Sequence, residues 1–316
     1  MKTATDDRQT AMESETIIIN GPAKIVTVYG ADSYIGAHLV KHLAQTDRMV
    51  YGFSQNRDLD FEAEPMVTHG GEKVPFEPAP VVSDWIVVCL DPHIGLDAFI
   101  SRMRHLCDHL VEQEFYGRVC FVSSGEICFS SYEEITEDTI VAPRTECDLA
   151  LAFGENILNV MLHRKDNQAG LLVVRLGVPY GDEIGMPDAP GMINRLIRDA
   201  SAGKILEVTK FPEAKRSCTH ISDICGSIMS LLELGDLAPS LVNIPGEVLT
   251  VKDIIDTVTE RFPTKTVCHP FENNDLDFYR HLSDARFNET LTYEREISFR
   301  SWFEQAYHPV FKANIC

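Results

Sequence analysis

The chain has 316 residues, 44% of them hydrophobic and 24% charged, and its 48 acidic against 28 basic side chains leave a formal net charge of −20. That surface argues against nucleic-acid backbones and anionic membranes as main partners, because both are negative themselves. No run of about 18 apolar residues occurs, so no spanning helix is expected. Nine cysteines, with no CxxC and no zinc spacing, fit free thiols in a reducing cytoplasm.

Residues 1–16 are poor in apolar side chains and read as a disordered tail, with none of the pattern of a secretory signal. Thr16 to Pro22 is either a short extra strand or an apolar lead-in. Lys24 to Tyr29 then reads as a buried strand, Gly30 to Gly36 as a tight turn, and Ser33 to Gln45 as a helix. A strand feeding a helix through such a turn aims backbone N–H groups and the positive helix end at one spot, which suits a pyrophosphate. Gly30 permits the turn and Gly36 lets the helix pack on the strand. Ser33 stands where the backbone must approach the phosphate.

Met49 to Ser54 is the second strand. A dinucleotide fold usually carries a ribose-holding acid at its end. Here the sequence is Ser54-Gln55-Asn56-Arg57, so the acid is missing there and a cation follows. Arg57 either pairs with a 2′-phosphate or is a solvated loop charge. Residues 58–80, rich in prolines and acids, read as mostly loop.

Val81–Leu90, Arg118–Ser124 and Leu171–Leu176 are apolar runs of buried parallel strands. Leu96–Phe115 and Cys147–Arg164 have helical periodicity. Strands alternating with helices predict a doubly wound, Rossmann-type α/β sheet. After Gly177, prolines and glycines crowd a loop over the carboxyl edge of that sheet. Met192–Ala202 reads as a helix, Arg216–Leu232 as a loop running into a helix, and Leu241–Ile244 as a strand. Thr250 and Asp253 have the spacing of a helix cap, and a last helix lies around Ser301–Tyr307. The expected division is a dinucleotide-binding domain over 17–176, with 216–244 returning to it. A smaller, partly interleaved α/β substrate domain takes 177–215 and 245–316.

Five ordered pieces resemble the extended short-chain dehydrogenase/reductases, the NAD-dependent nucleotide-sugar epimerase/dehydratase group. Gly30-Ala31-Asp32-Ser33-Tyr34-Ile35-Gly36 resembles GxxGxxG. Phe121 to Cys128 resembles the SSxxVYG strand end, and Arg175 to Gly181 resembles RxxNVYGP. Arg216 to Asp223 resembles RxxxHVxD. Asn243 to Gly246 with Thr250 to Ile254 resembles NIGxGxxxSVxEL. The resemblance implies NAD or NADP, and we lean to NADP because Ser54 replaces the repelling acid. It places the cofactor along Gly30, Ser33, Tyr34, Ile35, Gly36, Ser54, Arg57, Cys89, Leu90 and Ser123. It implies a small-molecule substrate, a sugar nucleotide or related polyol, and a homodimer.

The catalytic pieces depart from the family. Ser124 falls on its Ser/Thr position, but the family's Tyr and the Lys four residues later become Cys147 and Leu151. Ser124 reads as an active-site hydroxyl or a strand-end hydroxyl. Cys147 reads as a substituted acid or a core thiol, and Glu126 as a dehydratase-type acid or an exposed glutamate. On the substrate side the family's Asn is Val178. Arg216 is kept where an arginine meets phosphates. The second phosphate arginine is missing, with Arg280 as one stand-in. His69, His105 and His109 show no ligand company, so no metal is expected. The expected function is an epimerase/dehydratase/reductase-like enzyme with atypical acid–base residues. The alternative is a catalytically degenerate cofactor-binding regulator of the same fold.

Overall fold

The computed structural model describes residues 25–54, 66–69, 72–73, 83–128, 134–162, 169–182, 191–208, 212–269, 279–293 and 296–307. The expected tail over 1–16, the lead-in Thr16–Pro22, Arg57 and part of the loop after Gly177 lie outside them. The first half runs β1 (Ile25–Tyr29), α1 (Tyr34–Leu43), β2 (Met49–Phe53), β3 (Met66–His69), β4 (Glu72–Lys73), β5 (Trp85–Val88), α2 (Leu96–Glu112), β6 (Arg118–Ser124), β7 (Glu134–Ile135), α3 (Glu146–Leu162) and β8 (Gly170–Leu176). The second half runs β9 (Val178–Tyr180), α4 (Met192–Ser201), β10 (Leu206–Val208), β11 (Lys215–His220), α5 (Ile221–Glu233), β12 (Leu241–Ile244), β13 (Glu247–Thr250), α6 (Val251–Arg261), β14 (Thr266–Cys268), β15 (Tyr279–Leu282), α7 (Ala285–Thr290) and α8 (Phe299–Ala306).

The main sheet has the order β12-β8-β6-β5-β1-β2-β3-β4. From β12 to β2 every pairing is parallel. The Val- and Ile-rich runs suit strands covered on both faces, and their side chains alternate between two cores. Val26, Val28, Val87, Cys120, Val122 and Val174 meet Leu39 and Leu43 of α1 with Ile224 and Ile228 of α5. Ile86, Val88, Phe121 and Val173 meet Phe99 and Met103 of α2 with Ala150 and Leu158 of α3. This is the Rossmann-type arrangement expected. The chain leaves β1 towards β2 and later returns to β5 on the other side of β1. Ligands bind at such a reversal, outside the carboxyl ends of the strands.

Two stretches differ from the expectation. Within residues 58–80, β3 pairs antiparallel with β2, and β4 with β3, extending the sheet edge. These strands are too short to stand out from a proline- and acid-rich background. Lys215–His220 is a strand, not a loop. It pairs with β13, β15 and β9 in a second sheet. Its residues, Lys-Arg-Ser-Cys-Thr-His, lack the apolar signature of a strand, and distant partners make it one. α5 and β12, which follow it, join the layers of the main sheet. A third core, with Tyr180, Ile197, Val258, Phe299 and Phe303, holds α4, α6 and α8 together. The cap expected at Thr250 is complete: Thr250 Oγ1 accepts from Asp253 N–H, and Asp253 accepts from Thr250 N–H. Among the described residues no helix is long and apolar enough to cross a membrane.

Candidate active site

The site begins where β1 ends. Gly30 has φ +77°, and a Cβ there would stand 2.5 Å from the Cys89 carbonyl oxygen. A Cβ on Gly36 would stand 1.9 Å from the Gly30 carbonyl oxygen. Only glycine lets the turn lie against the ends of β1 and β5. Ser33 is buried, and its Oγ accepts from Gly36 N–H at 3.0 Å, so it caps α1. Tyr34 is buried as well, its hydroxyl accepting from the Asn194 amide of α4 at 3.4 Å. It fastens the turn to the second lobe, while the partly buried Ile35 packs into the sheet core. Cys89 and Leu90 are buried, and their backbone closes the floor beside Gly30.

Burial pushes the Cys89 thiol up to about 12, which keeps it protonated. Ser123, at the carboxyl end of β6, is 4% exposed, and its Oγ finds no hydrogen-bond partner among the described residues. A buried hydroxyl in that condition suits a ligand atom or a water. A glycine cradle, a capped helix N-terminus and this hydroxyl, gathered at the strand reversal, fit a dinucleotide.

The next group lies at the ends of β6 and β11. Ser124 Oγ accepts from Glu126 N–H at 3.1 Å and donates to the Leu176 carbonyl at 3.4 Å. It thereby caps the short 3₁₀ turn Gly125–Ile127. Glu126 Oε1 lies 3.6 Å from Arg216 Nε. Arg216 is 1% exposed and also donates from Nη1 to its neighbour's carbonyl, Lys215 O, at 2.8 Å. In the second sheet Arg216 is the ladder partner of Arg280, and Val178 pairs with Cys218 two residues on. The fold therefore brings Ser124, Glu126, Arg216, Val178 and the backbone of Arg280 to adjoining strands, although they span 157 positions from Ser124 to Arg280 counted inclusively.

Cys147 stands in the first turn of α3, half-buried, with Sγ 3.3 Å from His93 Nδ1. Burial first, then the carboxylates of Asp91, Asp148 and Glu146, push its thiol up. Leu151, one turn on, is buried in the core. Cys128 is buried in the same core, as a packing residue would be. His220 caps α5, its Nδ1 accepting from Ser222 N–H at 3.2 Å. Asp223 accepts from Tyr293 Oη–H, Glu296 N–H and Ile297 N–H. These two are used in joining α5 to the C-terminal segment. No local signal in the sequence marks His93, and Asp32 stands inside the glycine motif at a variable position. Ser54 Oγ donates to Asp32 Oδ2 at 2.5 Å.

Comparison with known proteins agrees with this geometry. Residues 89–244 match the model of the NAD-dependent epimerase/dehydratase family. UDP-glucuronic acid decarboxylase 6 of Arabidopsis thaliana is 23% identical over 189 residues, 56% of this chain and 54% of that protein. The chain thus spans about half the length of the curated relatives it matches. Among solved structures, MoeE5 in complex with UDP-glucuronic acid and NAD superposes with a TM-score of 0.70, at 18% identity, over 89% of this chain and 99% of that one. The epimerase Mth375 of Methanothermobacter thermautotrophicus gives 0.72 at 17% identity, over 90% of this chain and 91% of its own. Residues 89–244 are therefore a domain of the NAD-dependent epimerase/dehydratase family, and the parallel sheet with its glycine turn gives the chain the fold of these solved structures.

Proposed function

We propose that this protein binds a nicotinamide dinucleotide at Gly30–Gly36 and acts with it on a sugar nucleotide or related polyol. The observation that carries this is the glycine turn, closed against Cys89 and opening onto α1, where a pyrophosphate meets N–H groups and the positive helix end. When bound, the nicotinamide supplies a hydride acceptor or donor. Ser123 Oγ and the backbone at Cys89 and Leu90 line the cofactor. The substrate lies against Ser124, Glu126, Val178, Arg216 and the strand carrying Arg280. Arg216 is suited to a phosphate or carboxylate, because its planar fork meets either with two hydrogen bonds. Ser124 handles a proton as a donor, together with an acid that stands in for the family's tyrosine. The neighbours support this reading, since the MoeE5 structures hold NAD with UDP-glucuronic acid or UDP-glucose.

The second reading is a cofactor-binding regulator that has lost turnover. The replacement of the family's lysine by the buried Leu151 favours it. Calorimetry with NADH separates binding from no binding, and turnover assays with UDP-glucuronic acid and UDP-glucose separate the two readings. Gly30→Ala, which places a methyl on the Cys89 carbonyl, abolishes binding. Wild type that binds none of NAD, NADH, NADP or NADPH sinks both readings.

A further inference from the structure

The glycine turn and the end of β2 are fastened together. The Phe53 carbonyl accepts from both Gly30 N–H and Ala31 N–H, each at 2.9 Å. This sets Asp32 over the end of β2, where Ser54 Oγ donates to its Oδ2 at 2.5 Å. Both residues are half-buried and so keep a face towards solvent. In a dinucleotide fold that place receives the adenosine ribose, and the acid that meets it comes from the region after the second strand. In this chain β2 ends at Phe53, the next residue is Ser54 and not an acid, and the carboxylate that Ser54 meets is Asp32 of the glycine turn.

We propose that Asp32, positioned by Ser54, takes the adenosine ribose diol and selects a dinucleotide without a 2′-phosphate. An ionised carboxylate only accepts hydrogen bonds, and two vicinal hydroxyls offer it two donors. A 2′-phosphate removes one of those donors and sets a second anion beside the first. Ser54, whose hydroxyl hydrogen is engaged by Asp32, has only oxygen lone pairs left to offer. The proposal rests on the dinucleotide reading above. It reverses the expectation from sequence, in which Ser54 and Arg57 favoured the phosphorylated cofactor.

The test is calorimetric titration of the full chain with NADH and with NADPH, alongside Asp32→Asn and Ser54→Ala. The wild type binds NADH roughly tenfold or more tightly than NADPH, the worth of one or two charge-assisted hydrogen bonds. Asp32→Asn brings the two affinities to within about threefold, and Ser54→Ala, which keeps the carboxylate but frees it, narrows the gap less. The wild-type ratio stands as a test even if Asp32→Asn fails to fold. Equal wild-type affinities overturn the proposal, as does an NADPH preference that Arg57→Ala removes. In either case the dinucleotide reading survives. Binding of neither nucleotide overturns both.

Discussion

Cys147 Sγ and His93 Nδ1 lie 3.3 Å apart, joining the first turn of α3 to the 3₁₀ turn Pro92–Ile94. Burial and three neighbouring carboxylates hold this thiol above the ordinary range, so at neutral pH it keeps its proton. Cys147 is therefore a weak base and a poor nucleophile, since thiolate is the reactive form. Alkylation by iodoacetamide, followed site by site in mass spectra, is expected to reach half its maximal rate at Cys147 above about pH 8.5. A midpoint below neutrality would contradict this. Loss of the acid–base group is worth about 10²–10⁴-fold, so turnover of UDP-, GDP- and dTDP-sugars is expected to be slow at best. Turnover at ordinary rates that Cys147→Ala abolishes would make the thiol a working acid.

Arg216 sits beneath Glu126. An anionic substrate reaching Arg216 has to take the place of this carboxylate. Glu126→Gln removes the competing charge and is expected to tighten UDP-sugar binding by about tenfold, the worth of one hydrogen bond to a charged group. Calorimetry with UDP-glucuronic acid reads the change directly. Unchanged affinity would mean that Arg216 does not touch the substrate. Arg216→Ala is expected to lower the melting temperature as well, because the side chain is 1% exposed and fills the space between β11 and the 3₁₀ turn.

Arg175 and Glu155 form a two-pronged pair, Nε to Oε1 at 3.0 Å and Nη2 to Oε2 at 2.8 Å, with side chains 4% and 12% exposed. It fastens β8 to α3. Glu155→Ala leaves the arginine buried with its charge uncompensated and is expected to cost about 3–5 kcal/mol. Urea unfolding midpoints measure this. A loss below about 1 kcal/mol would show that the pair adds little to stability.

Burial lowers the affinity of His38 and His220 for a proton in the folded chain. A base whose folded pKa is depressed contributes stability that is complete above its unfolded value, about 6.5, and is lost as pH falls towards the folded value. At His220 protonation also removes the Nδ1 acceptor that caps α5. The urea midpoint is therefore expected to fall between pH 7.5 and pH 5.5. His220→Asn keeps a capping side chain without a titrating group and should flatten that slope. An equal slope in both proteins would assign the effect elsewhere.

The family's lysine position, Leu151, is built into the core beneath α3. Restoring the pattern with Cys147→Tyr and Leu151→Lys therefore sets a charge among apolar side chains. The double variant is expected to melt well below wild type, since a buried ammonium is costly unless it is paired. Activity gained at low temperature despite that loss would show the remaining site still shaped for the family's chemistry.

The parallel sheet is legible in the amino-acid order alone, because each of its central strands is an apolar run that only burial on both faces explains. So is the glycine turn, because Gly30 and Gly36 stand between an apolar strand and a helical stretch, and so is the Thr250–Asp253 cap, because both partners lie within one helical turn. Tertiary structure decided what depends on residues far apart in the chain. Lys215–His220 became a strand because β9, β13 and β15 offered it hydrogen bonds, though nothing in its own side chains announces a strand. His93 met Cys147 across 54 positions, and Ser54 met Asp32 across 22. The carboxylate nearest the end of β2 comes from the glycine turn beside it. Periodicity and spacing record what neighbours along the chain do, whereas strand pairing brings the ends of different strands to one edge, and the site is built there.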